Sequence, residues 1–84
     1  MSDLEIHSLN GTTDSSDNAT VIGLITNNTD ENLDLEVEVT FYRNGKFIGH
    51  GNDYVEVRRG STRPFEVTEW DCPMTNFEIN AFVR

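Results

Sequence analysis

The stretch LDLEVEVTFYRNGKFIG, Leu33 to Gly49, decides the fold that this sequence predicts. Apolar side chains recur at every second position from Leu33 to Phe41, and acidic or polar side chains fill the positions between them. Successive side chains of a β-strand point to opposite faces, so the alternation predicts a strand with one buried and one hydrated face. Asn44-Gly45 supplies the two positive-φ positions of a type I′ turn, which predicts a hairpin with a return strand from Phe47.

Further short runs predict the rest of the sheet pattern. The run Val21–Ile25 is apolar on both faces, which is typical of a central strand. Pro64 cannot donate to a strand ladder, so the run around it is expected at a sheet edge or a bulge. Six to seven strands at spacings of about ten residues predict one domain over residues 1–84, an all-β, immunoglobulin-like antiparallel β-sandwich. Residues 8–18 are polar and contain a glycine, and they are expected to form a loop.

Several residues have predicted structural roles. Gly23, inside the central strand, is expected where a large side chain from the facing sheet lies against the backbone, with Phe65 or Trp70 as candidates. Trp70 is accordingly expected in the core. Asn27, at the end of the same strand, is expected to bond nearby backbone groups and hold the next turn. Cys72 is expected to pack as a small apolar residue.

The composition excludes several classes of function. Of the 84 residues, 15 are acidic and 6 are basic, and the formal net charge is -9. This charge repels phosphate groups, so no nucleic-acid partner is expected. No run approaches the ~20 apolar residues of a membrane span, so no direct membrane insertion is expected. The acidic, lysine-poor composition is also compatible with a high-salt environment, in which ions screen the self-repulsion.

Two cellular compartments are compatible with the sequence. The start MSDLEIHS lacks the charged and apolar regions of a signal peptide, and the chain as given is expected to be soluble. An extracytoplasmic or cell-envelope location is expected if the sequence is part of a longer exported protein.

No catalytic residue and no cofactor are expected. Asp34, Glu36 and Glu38 lie ~6.6 Å apart along one strand face, a spacing comparable to the carboxyl pair of an inverting glycosidase. An open sheet face, however, offers no apolar setting that would keep one carboxyl protonated. These carboxylates are instead expected to be solvated and partly paired across strands with cations. The candidate cations are Arg58, Arg63 and Lys46.

Two loops carry the oxygen ligands that calcium would need. Asp14 and Asp17 lie on the first loop, and Asp30 and Asp34 lie on or beside the second. Calcium takes six to eight oxygen ligands, which neither loop supplies alone, so a site requires both loops at the same end of the sandwich. The alternative is that both segments are ordinary polar turns.

Residues that fall outside the inward register form the candidate partner surface. They are Ile22, Leu24, Tyr42, Tyr54 and Phe82. Aromatic side chains exposed on a sheet face can stack on sugar rings or on a protein partner. A shared patch of Ile22, Leu24 and Phe82 would instead indicate a homodimer formed through a sheet face, and pairing through a sheet edge is a further alternative.

Separated motifs in this sequence resemble the central part of FxLYD-type domains, which occur in bacterial and archaeal envelope-associated proteins. The matching residues are Val21, Gly23, Ile25 and Asn27; then Val37, Val39, Phe41, Tyr42 and Gly45; and finally Gly60, Phe65 and Val67. The sequence departs from the family pattern at Arg43, where aspartate is usual, and at Arg59, where proline is usual. The resemblance implies an immunoglobulin-like sandwich with no known catalytic activity, and it assigns no functional residue.

The function that these observations favour is a non-enzymatic module for protein interaction or structural spacing. The alternative is a calcium- or carbohydrate-binding module of the same fold.

Overall fold

A computed structural model describes residues 3–84, and it confirms an all-β fold of antiparallel strands. The strands are β1 Leu4–Thr13, β2 Ala19–Asn27, β3 Leu33–Arg43, β4 Lys46–Val57, β5 Thr62–Glu69 and β6 Asn76–Val83. Sheet A has the order β1-β2-β5, and sheet B has the order β4-β3-β6. The two sheets pack their apolar faces together as a sandwich, as the alternation predicted.

The core is centred on β3, the strand that the sequence marks most clearly. Leu35, Val37, Val39 and Phe41 are fully buried, while the side chains between them reach the outer face of sheet B. Strands β2, β4 and β5 contribute the other buried apolar side chains of strands. The predicted inward register is therefore confirmed.

The predicted positions of β2 and β5 are also confirmed. β2 is the central strand of sheet A, and β5 is an edge strand with Pro64 opposite Leu24. A Cβ at Gly23 would lie 2.6 Å from Cζ of Phe65, which is its partner on β5. The ring that covers Gly23 thus comes from the neighbouring strand and not from the facing sheet. Trp70 is not in the core: it follows β5 and 71% of its surface is exposed.

The turns confirm some local predictions and correct others. Asn44 and Gly45 have φ values of 52° and 83°, as a type I′ turn requires. β4 has one irregularity in its pairing with β3, at Ile48, because Phe41 pairs with Gly49 while Tyr42 pairs with Phe47.

The loop expected over residues 8–18 is shorter, because β1 continues to Thr13. Backbone pairing with β2 requires no apolar side chain, so the polar composition did not end the strand. Within residues 3–84 no helix is long and apolar enough to cross a membrane.

Candidate functional site: the outer faces and edges of the sandwich

The outer face of sheet B combines aromatic side chains with a high density of carboxylates. In one row across the sheet, Tyr54 of β4 and Phe82 of β6 both pair with Glu36 of β3. The next row places Glu38 between two asparagines. We call this surface the acidic face, and its defining residues are Asp34, Glu36, Glu38, Tyr42, Tyr54, Glu56, Glu78 and Phe82.

Direct contacts position the Tyr54 ring on the acidic face. Nδ2 of Asn52 donates to Oε2 of Glu36 at 3.2 Å and to the Tyr54 hydroxyl at 3.0 Å. The guanidinium carbon of Arg84 lies 4.4 Å from the centroid of the Tyr54 ring, within the range of a cation–π contact. Tyr54 is 55% exposed and Phe82 is 38% exposed. Two aromatic side chains are thus accessible on this face, and one of them is held by polar contacts.

Tyr42 is the third aromatic residue of the acidic face, and it acts as a hydrogen-bond donor. Its hydroxyl donates to Oε2 of Glu78 at 3.3 Å. Desolvation, followed by the negative charge and hydrogen bond of Glu78, raises the pKa of the Tyr42 hydroxyl above its ordinary value. The phenol therefore stays protonated across the neutral range.

The cations expected beside these carboxylates lie elsewhere. Arg63 is on β5 in the other sheet, Arg58 is in the turn after β4, and Lys46 pairs with Arg43 at the hairpin. The positions opposite Glu36 and Glu38 hold aromatic or amide side chains, and Asp34 lies opposite another carboxylate, Glu56. The predicted cross-strand pairing of these carboxylates with Arg58, Arg63 and Lys46 is therefore wrong. Arg84 is a cation that does reach this face, where it lies over Tyr54.

The predicted partner surface divides between the two sides of the molecule. Ile22 and Leu24 lie on the outer face of sheet A, beside a depression of about 470 Å³ that Pro64 and Glu66 also line. Phe82 lies on sheet B. A shared patch of Ile22, Leu24 and Phe82 does not form, because the thickness of the sandwich separates its members.

The two candidate calcium loops lie at opposite ends of β2, so they do not combine. Asp14 and Asp17 precede β2, whereas Asp30 and Asp34 follow it, and the strand separates them by roughly 27 Å at about 3.3 Å per residue. Among the described residues, no group of three or more His, Cys, Asp or Glu side chains is arranged to hold a metal ion.

The carboxylate of Asp14 already accepts hydrogen bonds from its own loop. Its Oδ1 accepts from the backbone N–H of Ser16 at 2.8 Å and from that of Asn18 at 3.0 Å. These hydrogen bonds, that from Asn18 first, lower the pKa of Asp14 below its ordinary value. The arrangement is that of an ordinary polar turn.

Three features have no clear signal in the sequence. Phe47 is 60% exposed on β4, although the hairpin pattern gives no reason for an open aromatic ring there. Asp53 joins the two sheets, since its Oδ1 accepts from the N–H of Tyr54 at 2.9 Å and its Oδ2 from the N–H of Glu66 at 3.0 Å. The third is the position of β6 at the edge of sheet B. Only the tertiary arrangement of the sheets shows which strand edges meet another strand.

Comparison of the chain with models of known protein families, with curated proteins and with solved structures found no match.

Proposed function

We propose that this domain is a non-enzymatic protein-interaction module and that the acidic face is its contact surface. One observation carries the proposal: Tyr54 and Phe82 are exposed and flank Glu36 in a single row. Aromatic side chains at the centre of a surface are the usual anchors of protein–protein contacts. The surrounding carboxylates favour a cationic partner, because complementary charge steers association and suppresses wrong partners.

The resemblance to FxLYD-type domains supports the same proposal. That family resemblance covers residues 19–84 and implies a sandwich without known catalytic activity. It also suggests that the module serves in an envelope or extracytoplasmic assembly. Such a module binds its partner through a preformed surface and requires no conformational change.

A selection of displayed peptides against the folded domain tests this proposal. We expect enrichment of cationic sequences whose affinity falls about tenfold or more in the variant Phe82→Ala, since aromatic anchors commonly contribute 2 kcal/mol or more, as an order of magnitude. Ile22→Ala is the matched control, because it removes an exposed apolar side chain from the opposite sheet. Binders that lose affinity with Ile22→Ala and ignore Phe82→Ala would refute the acidic face as the contact surface.

Carbohydrate binding is a second candidate that one observation favours. Tyr54 and Phe82 lie two strands apart, roughly 9 to 10 Å, on the outer face of sheet B with amide and carboxylate groups beside them. Against it, Arg84 already covers one face of the Tyr54 ring. The test is an oligosaccharide titration followed by amide NMR. Tryptophan fluorescence would not report on this face, because Trp70 lies in the loop after β5.

A further inference from the structure

The two lateral sides of the sandwich differ in how completely they are closed. On the β4/β5 side, Val55, Val57, Phe65 and Val67 are all buried, and the carboxylate of Asp53 bonds to backbone N–H groups of both edge strands. On the β1/β6 side, no side chain of either strand is fully buried. We call the β1/β6 side the open side.

The open side exposes part of the hydrophobic core. A Cβ at Gly11 of β1 would lie 2.6 Å from Cε1 of Phe77, so the Phe77 ring of β6 reaches β1 at this point. Phe77, Ile79 and Ala81 pack against the core but stay only partly buried, and Val83 is 55% exposed. An additional strand beside β6 would bury these inward-facing side chains.

Three of the four edge strands carry a proline, a bulge or an irregular register, and β6 carries none of these. β1 has a bulge at Ser8, whose φ is 57°, β4 is irregular at Ile48, and β5 contains Pro64. Bulges, prolines and lysines are the usual means by which proteins protect sheet edges. β6 has no proline and no lysine, and its register with β3 is unbroken over its whole length. The edge of β6 is therefore the one suited to accept a strand.

The hydrogen-bonding pattern of β6 leaves a continuous row of backbone groups along its outer edge. The N–H of Arg84 donates to the carbonyl of Asp34 at 2.9 Å, which sets the alternation of ladder bonds between β6 and β3. Because these bonds occur at every second residue, the even-numbered residues of β6 bond to β3. The N–H and C=O groups that point away from β3 belong to Phe77, Ile79, Ala81 and Val83. The free backbone groups and the partly buried apolar side chains thus belong to the same residues.

We propose that the edge of β6 binds an extended segment of a partner protein, in antiparallel orientation, in which apolar and basic residues alternate. This inference rests on the proposed interaction function and names the form of the partner. Addition of a strand to a sheet edge is a recurring mode of peptide recognition. The apolar side chains of the segment point into the open side. Its basic side chains lie beside Glu78, from where long cationic side chains reach toward Glu36 and Glu38.

Charge favours this occupant over a second copy of the chain. Each copy carries a formal net charge of -9, and β6 lies at the border of the acidic face. Two such edges would bring like-charged surfaces together, whereas a basic segment neutralises them.

The probe is a synthetic peptide in which valine and lysine alternate, measured by calorimetric titration against the folded domain. Two matched versions carry N-methyl groups, on the valines or on the lysines. In an antiparallel ladder the inward-facing valines are the residues whose N–H groups bond to β6. We expect N-methylation of the valines to weaken binding at least tenfold and N-methylation of the lysines to leave it within about twofold, since each tenfold change corresponds to about 1.4 kcal/mol.

The domain variants separate this inference from the proposed function. Ala81→Pro removes an outward N–H without removing a bond to β3, so it should block the peptide and preserve the fold. Ile22→Ala alters only the outer face of sheet A and should leave peptide affinity within about threefold. Tyr54→Ala reports whether the peptide contacts the acidic face. The two N-methylated peptides act on the unaltered domain, so they remain decisive if Ala81→Pro does not fold.

Three results would overturn the inference. Equal binding of the two N-methylated peptides, with a loss in Tyr54→Ala, would place the peptide on the acidic face, and the proposed function would stand without the edge. Absence of binding by the alternating peptide would refute this occupant while leaving the outcome of the displayed-peptide selection unaffected. A dimer seen by sedimentation that Ala81→Pro abolishes would assign the edge to a second copy.

Discussion

Asn27 shows how one polar side chain can organise the end of a sandwich. It is fully buried, and its Nδ2 donates to the carbonyls of Glu31 and Val57 at 2.7 and 2.9 Å. Its Oδ1 accepts from the N–H and the hydroxyl of Thr29 at 2.9 and 2.6 Å. The amide thus ties the turn after β2 to the end of β4, and the predicted role of Asn27 in holding this turn is confirmed.

Replacing Asn27 by alanine should lower the free energy of unfolding by about 2 to 4 kcal/mol, because buried backbone groups would lose their partners. Urea denaturation measures this change. Asn28→Ala is the matched control, since the neighbouring Asn28 is exposed. A loss no larger than that of the control would contradict the structural role of Asn27.

Cys72 behaves as a core residue and not as a nucleophile. It is almost completely buried, and this desolvation, together with the negative charges of Glu69 and Asp71, raises the pKa of its thiol above the ordinary value. Because the folded pKa is raised, the protonated thiol contributes stability below the ordinary pKa, and this contribution is lost as pH rises through the folded value.

Alkylation by iodoacetamide should therefore be much slower in the folded domain than in urea at the same mildly alkaline pH, because the thiolate is the reactive form. Mass spectrometry follows the reaction. Reaction of the folded domain at the rate of the unfolded chain would mean that the thiol is accessible and ionised.

At the scale of elements, β3 and its hairpin were predictable because one side of the strand is buried and the other is not. The alternation from Leu33 to Phe41 reports this difference directly. β1 was harder to predict: its second half carries few apolar side chains, and its pairing to β2 depends on backbone groups that the composition does not reveal. The prediction that Trp70 lies in the core was wrong because it followed from the size of the side chain. Phe65 and Val67 face the core, and the two-residue alternation from them puts position 70 on the outer face.

Replacing Asn44-Gly45 by Ala-Ala should destabilise the domain by about 1 to 3 kcal/mol, since alanine at positive φ costs roughly 1 to 2 kcal/mol per residue. Both positions have positive φ, and there is open space around Gly45, so the effect would come from backbone conformation and not from a clash. Thermal or urea unfolding measures it. Asn44→Asp should be nearly neutral, because aspartate tolerates this conformation.

The bridge formed by Asp53 gives a second prediction at this scale. Asp53→Ala removes the acceptor of the Glu66 N–H, so hydrogen exchange at that amide should accelerate by about tenfold, the order expected for one hydrogen bond. Amide NMR measures the exchange rate. Exchange at the N–H of Thr20, which lies on the central strand β2, should remain unchanged and serves as the internal control.

Across the whole molecule, negative charge is distributed unevenly over the surface. The formal net charge of -9 includes several carboxylates on the outer face of sheet B, where Asp34 lies directly opposite Glu56. Like charges at opposed positions of neighbouring strands destabilise a sheet, and salt screens this repulsion.

The melting temperature should therefore rise between about 0.1 and 1 M NaCl, over which the Debye length falls from about 10 to about 3 Å. Circular dichroism follows the melt. The double variant Glu36→Gln with Glu38→Gln should show a weaker dependence on salt, because it removes two of the repelling charges. An identical dependence in both proteins would attribute the effect of salt to something other than this face.

The sequence by itself determined the strand periodicity, the inward register, the main hairpin and the role of Asn27, because each depends on neighbouring residues or on burial that leaves a two-residue pattern. The tertiary structure alone decided that Ile22 and Phe82 lie on opposite faces, that the acidic loops lie at opposite ends and that the side along β6 is open. These properties depend on which strands become neighbours across and between the sheets. Pairing of that kind joins residues far apart in the chain, and no local pattern of side chains records it.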